Sequence, residues 1–366
     1  MENRREEFLK TVCQIYMAAV LVVLPLYYIP GNGYYKLGDS KYYLYRNISL
    51  ICMEICLAVQ IITVVRSCRM KQHCRMENSS SSGMFMRKTG GKIIRWCREH
   101  SVVTVVCLYG FCALLSAICS PYGRTAWVGE REWYMGAVTI CLMVGGFLMA
   151  VDYSGQCIRI LYLGEAASVI VALIGLLQKL GYDPLELLKG YVVGDWEYTH
   201  MLSTLGNNNW LSGYYSVMLP LSLSLFCKAA EEERRAASIL LGGGTVLVVV
   251  MLLLQGSDGG VMVACVTLWI CFWSSRKING LWEALLVLLS GVCVGMLLWG
   301  KGMQSLGTYE ILLQDGIARK LAVWQGWLPL AVVCLLFCGI YYALPEKKKR
   351  ALQIGALCGS LLLAAG

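Results

Sequence analysis

Leu241-Gly242-Gly243-Gly244-Thr245-Val246-Leu247-Val248-Val249-Val250-Met251-Leu252-Leu253-Leu254 lies inside an apolar run, 237–254, that contains no charged residue. A bilayer core of about 30 Å asks for a helical run of roughly this length. The apolar residues are continuous, whereas a lipid-facing strand would alternate, so the run reads as a membrane helix. Three consecutive glycines predict close contact with a neighbouring helix, because small residues let backbones approach in lipid.

Runs of the same kind recur along the chain, near residues 9–29, 47–65, 101–119, 135–151, 158–178, 209–227, 259–274, 281–299, 323–342 and 351–366. Of the 366 residues, 57% are hydrophobic and 15% charged, against roughly half and a quarter in globular proteins, which excludes an ordinary soluble domain. The expected fold is all-α, a single integral membrane domain over 1–366 built as a polytopic bundle of about 10–11 transmembrane helices.

Sorting the 32 Lys and Arg by alternate loops puts 22 on the side of the N-terminus and 10 on the other. The positive-inside rule then makes the N-terminus cytoplasmic and turns the loops at 30–46, 120–134, 179–208, 255–258 and 300–322 to the outer face. The first apolar run follows Met1-Glu2-Asn3-Arg4-Arg5-Glu6-Glu7 without a small-residue cleavage site, and reads as a retained span rather than a signal peptide. Residues 66–100, basic around Ser79-Ser80-Ser81-Ser82-Gly83, read as a flexible cytoplasmic loop. The net charge of +9 sets topology and meets membrane lipids; nucleic acid is not an expected partner.

The 18 cysteines fall almost all in spans or the cytoplasmic loop, with Cys119 at a helix end, so external disulfides are not expected. Cys68, His73, Cys74 and Cys97 lack a zinc spacing, and neither metal nor cofactor is expected. No Gly-x-Gly-x-x-Gly or Walker loop occurs, leaving ATP-driven transport without support.

Two features carry candidate chemistry. Asn207, Asn208 and Asn209 precede a long apolar run; one caps the helix, and a helix N-terminus also suits a phosphate. The segment 120–134 carries Arg124, Arg131, Trp127, Trp133, Tyr122 and Tyr134. Such residues form the aromatic belt of membrane proteins, and equally a surface where rings stack on sugars and guanidinium forks grip pyrophosphate. Within the bilayer, Glu54 and Glu165 read either as polar joints between helices or as a proton path.

The order Ser120-Pro121, Gly129-x-Arg131-x-x-x-x-Gly136, Gly175-Leu176-Leu177-Gln178-Lys179-Leu180-Gly181-Tyr182-Asp183-Pro184 and Ser203-Thr204-Leu205-Gly206-Asn207-Asn208-Asn209-Trp210-Leu211-Ser212-Gly213-Tyr214, followed by Leu219-Pro220-Leu221, resembles the O-antigen ligase and polymerase family. The resemblance covers roughly residues 100–300. It implies a glycosyltransferase of the bacterial cytoplasmic (inner) membrane, acting on undecaprenyl-type lipid-linked glycan at the outer face, with other polysaccharide-assembly proteins as compatible partners. It implies no cofactor. The alternative is a non-enzymatic or inactive membrane protein that binds or moves a lipid-linked glycan.

The resemblance carries Arg131 over as the first pyrophosphate ligand, with Arg319 and Lys320 as further cations, His200 as a proton acceptor, and Arg124, Asn207, Asn209 and Trp133 as substrate-binding residues. Two departures stand out. Arg319-Lys320-Leu321-Ala322-Val323-Trp324 only approximates the family's Gly-Arg-x-x-Ile-Trp, with Lys320 in the Arg slot, and no His follows residue 300. The last apolar run stops at Gly366, so the chain is expected to be a C-terminally truncated or reduced member.

Overall fold

A computed structural model describes residues 2–75, 99–153, 157–192, 195, 197, 200–278, 280–305, 320, 321 and 323–365. Among these the chain is helical and contains no strand. The helices are α1 (Glu2–Ala18), continued by a π-helical turn at Ala19–Val23, α2 (Leu37–Arg75), α3 (Ser101–Cys119), the short α4 (Arg124–Val128), α5 (Ala137–Tyr153) and α6 (Ile158–Lys179). They are followed by α7 (Asn208–Glu231), α8 (Arg235–Leu254), α9 (Asp258–Ser274), α10 (Leu281–Ser305), α11 (Trp327–Ala343) and α12 (Glu346–Ala365).

Among the described residues, seven helical segments are long and apolar enough to cross a membrane: Arg4–Leu26, Leu37–Val65, Ser101–Cys119, Ile158–Lys179, Asn208–Glu231, Arg235–Leu254 and Leu281–Gly302. The chain is therefore a multi-pass helical membrane protein. Three further apolar helices, Ala137–Tyr153, Asp258–Ser274 and Trp327–Ala343, are 17 residues long, about 26 Å at the helical rise and so at the short end for a crossing. Helix α2 departs most from the sequence reading. It starts at Leu37 rather than near 47, which brings Asp39 and Lys41 into the helix, and it continues to Arg75 into the expected loop; residues 76–98 lie outside the described ones.

The sequence reading expected one integral domain, and the contacts gather into two compact units, Met1–Leu24 with Gly38–Ile160 and Pro25–Leu37 with Leu161–Gly366. In the first unit Leu9, Val12, Cys13 and Tyr16 of α1 pack with Cys52 and Cys56 of α2 and Met149 of α5. Gly145 and Gly146 make this crossing possible: a Cβ on Gly145 would press on Met53 Sδ at 2.7 Å, and one on Gly146 would meet the Tyr16 phenol. The α3 window is only 11% buried, and its contact with α5 runs through Gly110, where a Cβ would lie 3.1 Å from Val144.

In the second unit Val171 and Ala172 of α6, Leu211, Tyr215 and Leu219 of α7, and Val248, Met251 and Leu252 of α8 are all at most 1% exposed. The glycine run behaves as expected at two of its three positions. A Cβ on Gly242 would lie 3.0 Å from the Phe226 ring and one on Gly244 2.8 Å from Val169 Cγ2, while Gly243 faces open space. Helix α9 is tied to α10 by Trp282 Nε1 donating to Phe272 O at 3.0 Å, and α12 to α11 by Gln353 Nε2 donating to Tyr341 Oη at 2.6 Å.

Gly146→Ala is expected to destabilise the first unit by about 1–3 kcal/mol through overpacking. Gly243→Ala, with nothing to strike, should leave the thermal unfolding midpoint of the detergent-solubilised protein unchanged.

Candidate functional site

In the first unit, the segment between α4 and α5 is shaped by two glycines. Gly129 has φ +89°, and a Cβ there would sit 2.5 Å from Met135 N; a Cβ on Gly136 would strike Trp127 O and the adjoining backbone. The two arms of the loop thus touch backbone to backbone, which only glycine permits. The residues between them, Glu130 to Met135, are thrown out as a tight loop. This is the physical content of the Gly129-x-Arg131-x-x-x-x-Gly136 pattern.

Glu132 (φ +73°) and Tyr134 (φ +45°) adopt the left-handed conformation without being glycine, at a cost of order 1–3 kcal/mol each. Tyr134 is held there from several sides. Its N–H donates to Glu130 O at 2.8 Å, its hydroxyl to Asp39 Oδ1 at 2.7 Å, and its carbonyl accepts from Thr139 Oγ1 at 2.5 Å. Its ring stacks on Tyr42 at 4.0 Å and 2°. Asp39 lies in the first turn of α2, where a helix N-terminus favours a carboxylate. Burial pushes the Tyr134 phenol well above its ordinary range, and the bond to Asp39 adds to the effect.

The same carboxylate aims Arg131. Arg131 Nε donates to Asp39 Oδ2 at 3.2 Å, with the arginine side chain 69% exposed and the aspartate 10%. The loop therefore presents a guanidinium to its surroundings on a buried brace. Arg124, opening α4, and Trp133 are also exposed, so Arg124, Arg131 and Trp133 belong to one exposed segment of the first unit.

In the second unit, the Ser203–Tyr214 stretch folds as a 3-10 turn, Ser203–Leu205, then Gly206 in the left-handed conformation (φ +79°), then α7. Asn207 is the N-cap: its Oδ1 accepts from Asn209 N at 2.8 Å and Trp210 N at 3.4 Å. The three asparagines have separate fates. Asn207 is spent on the cap, Asn208 is buried, and Asn209 is exposed.

Gln178, at the end of α6, holds this turn in place. Its Oε1 accepts from Ser203 N at 3.1 Å, and its Nε2 donates to Tyr34 Oη at 3.0 Å and to Asp183 Oδ1 at 3.3 Å. Tyr34 Oη donates to Ser203 O at 2.8 Å, Ser203 Oγ to Val171 O at 2.6 Å, and Thr204 Oγ1 to Pro25 O at 2.7 Å. These bonds fix Ser203 at φ +50°, another left-handed non-glycine residue. Burial raises the Tyr34 phenol far above its ordinary range, the Gln178 bond opposing and Asp183 reinforcing the shift.

Beside this joint, Met201 N donates to Gln255 O at 3.4 Å, and Gln255 Nε2 donates to Ser212 Oγ at 2.6 Å. His200 is only 8% exposed and lies against Gly256. The imidazole expected as a proton acceptor is thus buried, and an acceptor hydroxyl would have to come within hydrogen-bond distance of it to pass on its proton. Lys320 is exposed, and Arg319 lies outside the described residues. Asp39, Gln178 and Tyr34 went unnoticed in the sequence. Asp39 fell before the expected start of its span, and Gln178 stood within a quoted motif without a role.

Gly136→Ala is expected to disrupt the Arg131 loop, seen as faster proteolysis at 129–136 and a loss of about 1–3 kcal/mol. Gln178→Leu, which leaves the buried Ser203 N–H unpaired, should cost about 1–3 kcal/mol in thermal unfolding. The raised Tyr34 phenol contributes stability that is fully present below the ordinary phenol pKa of about 10 and is lost as pH rises beyond it. Wild type should therefore lose more stability than Tyr34→Phe on alkaline titration. No protein-family model, curated protein or solved structure matches the chain.

Proposed function

We propose that the chain is a bacterial cytoplasmic-membrane glycosyltransferase that polymerises or ligates undecaprenyl-pyrophosphate-linked oligosaccharide at the outer face. In this reading the N-terminus is cytoplasmic, and the three shorter apolar helices cross the bilayer with the seven longer ones. The observation that carries the proposal is the glycine-closed loop 129–136, which braces an exposed Arg131 on a buried Asp39. Strain held at a loop that displays a guanidinium is the signature of a preorganised anion site. The motif resemblance supplies the identity of the anion, the pyrophosphate of a lipid-linked donor.

The reaction joins an acceptor hydroxyl oxygen to the anomeric carbon as the bond from that carbon to the pyrophosphate oxygen breaks, and the hydroxyl proton passes to the departing pyrophosphate. Arg131 receives the charge that develops on the departing polyprenyl pyrophosphate. Exposed Arg124 and Trp133 on the same segment serve the glycan by hydrogen bonding and ring stacking. In the second unit, considered by itself, Asn209 and Lys320 are exposed polar residues, and Asn207 serves by capping. The buried His200 favours a second reading, a protein that binds or moves the lipid-linked glycan without reacting it.

Purified protein in lipid nanodiscs, given an undecaprenyl-pyrophosphate oligosaccharide, separates the two. The expected result is new glycosidic product with release of undecaprenyl pyrophosphate, slowed on the order of 10²-fold by Arg131→Ala. Binding without product moves the assignment to the carrier, and neither binding nor product rejects both.

A further inference from the structure

A second polar group lies within the membrane-spanning helices of the second unit, away from the loops. Glu165 of α6 is 3% exposed, and Ser168 of α6 and Ser222 and Tyr215 of α7 are fully buried. Both serines approach one carboxyl oxygen, Glu165 Oε2, from Ser168 Oγ at 3.3 Å and from Ser222 Oγ in close contact. The other oxygen, Oε1, is buried without a hydrogen-bond partner. It faces Gly244 of α8, where a Cβ would lie 3.5 Å from it.

Each serine hydroxyl stands between two acceptors, Oε2 and a carbonyl of its own helix. Each serine hydroxyl has one proton to give, and each lies within reach of a carbonyl of its own helix, Ser168 Oγ of Glu165 O at 2.9 Å and Ser222 Oγ of Met218 O at 3.0 Å. Such back-bonding to the i−3 or i−4 carbonyl is the usual disposition of helical serines. With the serine protons placed there, hydroxyl lone pairs face Oε2, and the contact is attractive only if Oε2 itself carries a proton. Of the other hydroxyls nearby, Tyr215 Oη donates to Ser168 O at 2.7 Å and Thr245 Oγ1 to Leu241 O at 2.8 Å, while Tyr214 Oη is buried and bonds to neither carboxyl oxygen.

The surroundings agree. The titratable groups that face Glu165 are the phenols of Tyr214 and Tyr215, both on α7, and among the described residues no Lys, Arg or His pairs with it. A carboxylate here would be a buried charge with one oxygen wholly unbonded, which the bilayer interior disfavours. A neutral acid leaves Oε1 as an uncharged carbonyl oxygen. We propose that Glu165 is a proton-binding site, a carboxylic acid that keeps its proton at neutral pH, donates it from Oε2 to Ser222 Oγ, and so clasps α6 to α7. The site stands independently of the glycosyltransferase reading, since it uses none of its residues.

Infrared spectroscopy of the full chain in nanodiscs reads the proton directly. At neutral pH a protonated-carboxyl carbonyl stretch should be present, should move on 13C labelling of glutamate, should vanish in Glu165→Gln and should persist in Glu54→Gln. Because glutamine mimics the neutral acid, Glu165→Gln should also keep the wild-type unfolding temperature. Ser222→Ala should shift the band by removing its acceptor, which provides the readout if Glu165→Gln fails to fold. A band that appears only on acidification, survives Glu165→Gln, or ignores Ser222→Ala overturns the proposal.

Discussion

Most of this protein follows from one constraint: within hydrocarbon there is no water to satisfy a polar group, so each must find its partner inside the chain. The backbone meets that demand by coiling. The side-chain hydroxyls meet it by folding back on their own helices, as Thr63 does on Val59 O, Ser222 on Met218 O, Thr245 on Leu241 O and Ser290 on Leu286 O. Ser203 and Thr204 are different. Their hydroxyls reach carbonyls of other segments, Val171 O and Pro25 O, and they stand where Gln178 ties the start of α7 to the end of α6. The departure from back-bonding marks the place where structure is held by long-range polar bonds.

Glycine serves two separate ends in the same chain. In the helices it removes bulk, so that Gly145 and Gly146 admit α2 and α1, and Gly242 and Gly244 admit side chains of α7 and α6. In the 129–136 loop it lets backbone touch backbone, and the consequence is the placement of a charge. The strain in Tyr134 is offset by a bond to a buried carboxylate and a stacked ring, so Arg131 is displayed on a loop with little freedom to relax. A rigid display of this kind lowers the ordering cost of gripping an anion.

The fold was more legible in the sequence than the site was. Continuous apolar runs locate helices because the bilayer demands one answer, and ten of the expected runs coincide with apolar helices of the structure. Helix starts were harder: polar residues such as Asp39 and Lys41 extend α2 beyond the apolar run, and hydropathy cannot see a helix continuing past it. That one of the three asparagines caps α7 was legible because capping is local chemistry; that it is Asn207, expected to bind substrate, came from the structure. The burial of His200 could not be read from the sequence, because it depends on what packs over a loop, here Gly256.

The helical membrane class, a close approach at the α8 glycines and a cap on α7 could be read from the residues alone, since each depends on lipid or on residues a few positions apart. Tertiary structure alone decided that Asp39 braces Arg131 across 92 residues and that Gln178 holds Ser203 across 25. It also brought Ser222 to Glu165 across 57. Those bonds join segments whose separation in sequence carries no signal of their meeting. The meeting is set by how apolar helices pack, and the polar groups then bond to whatever the packing has brought within reach.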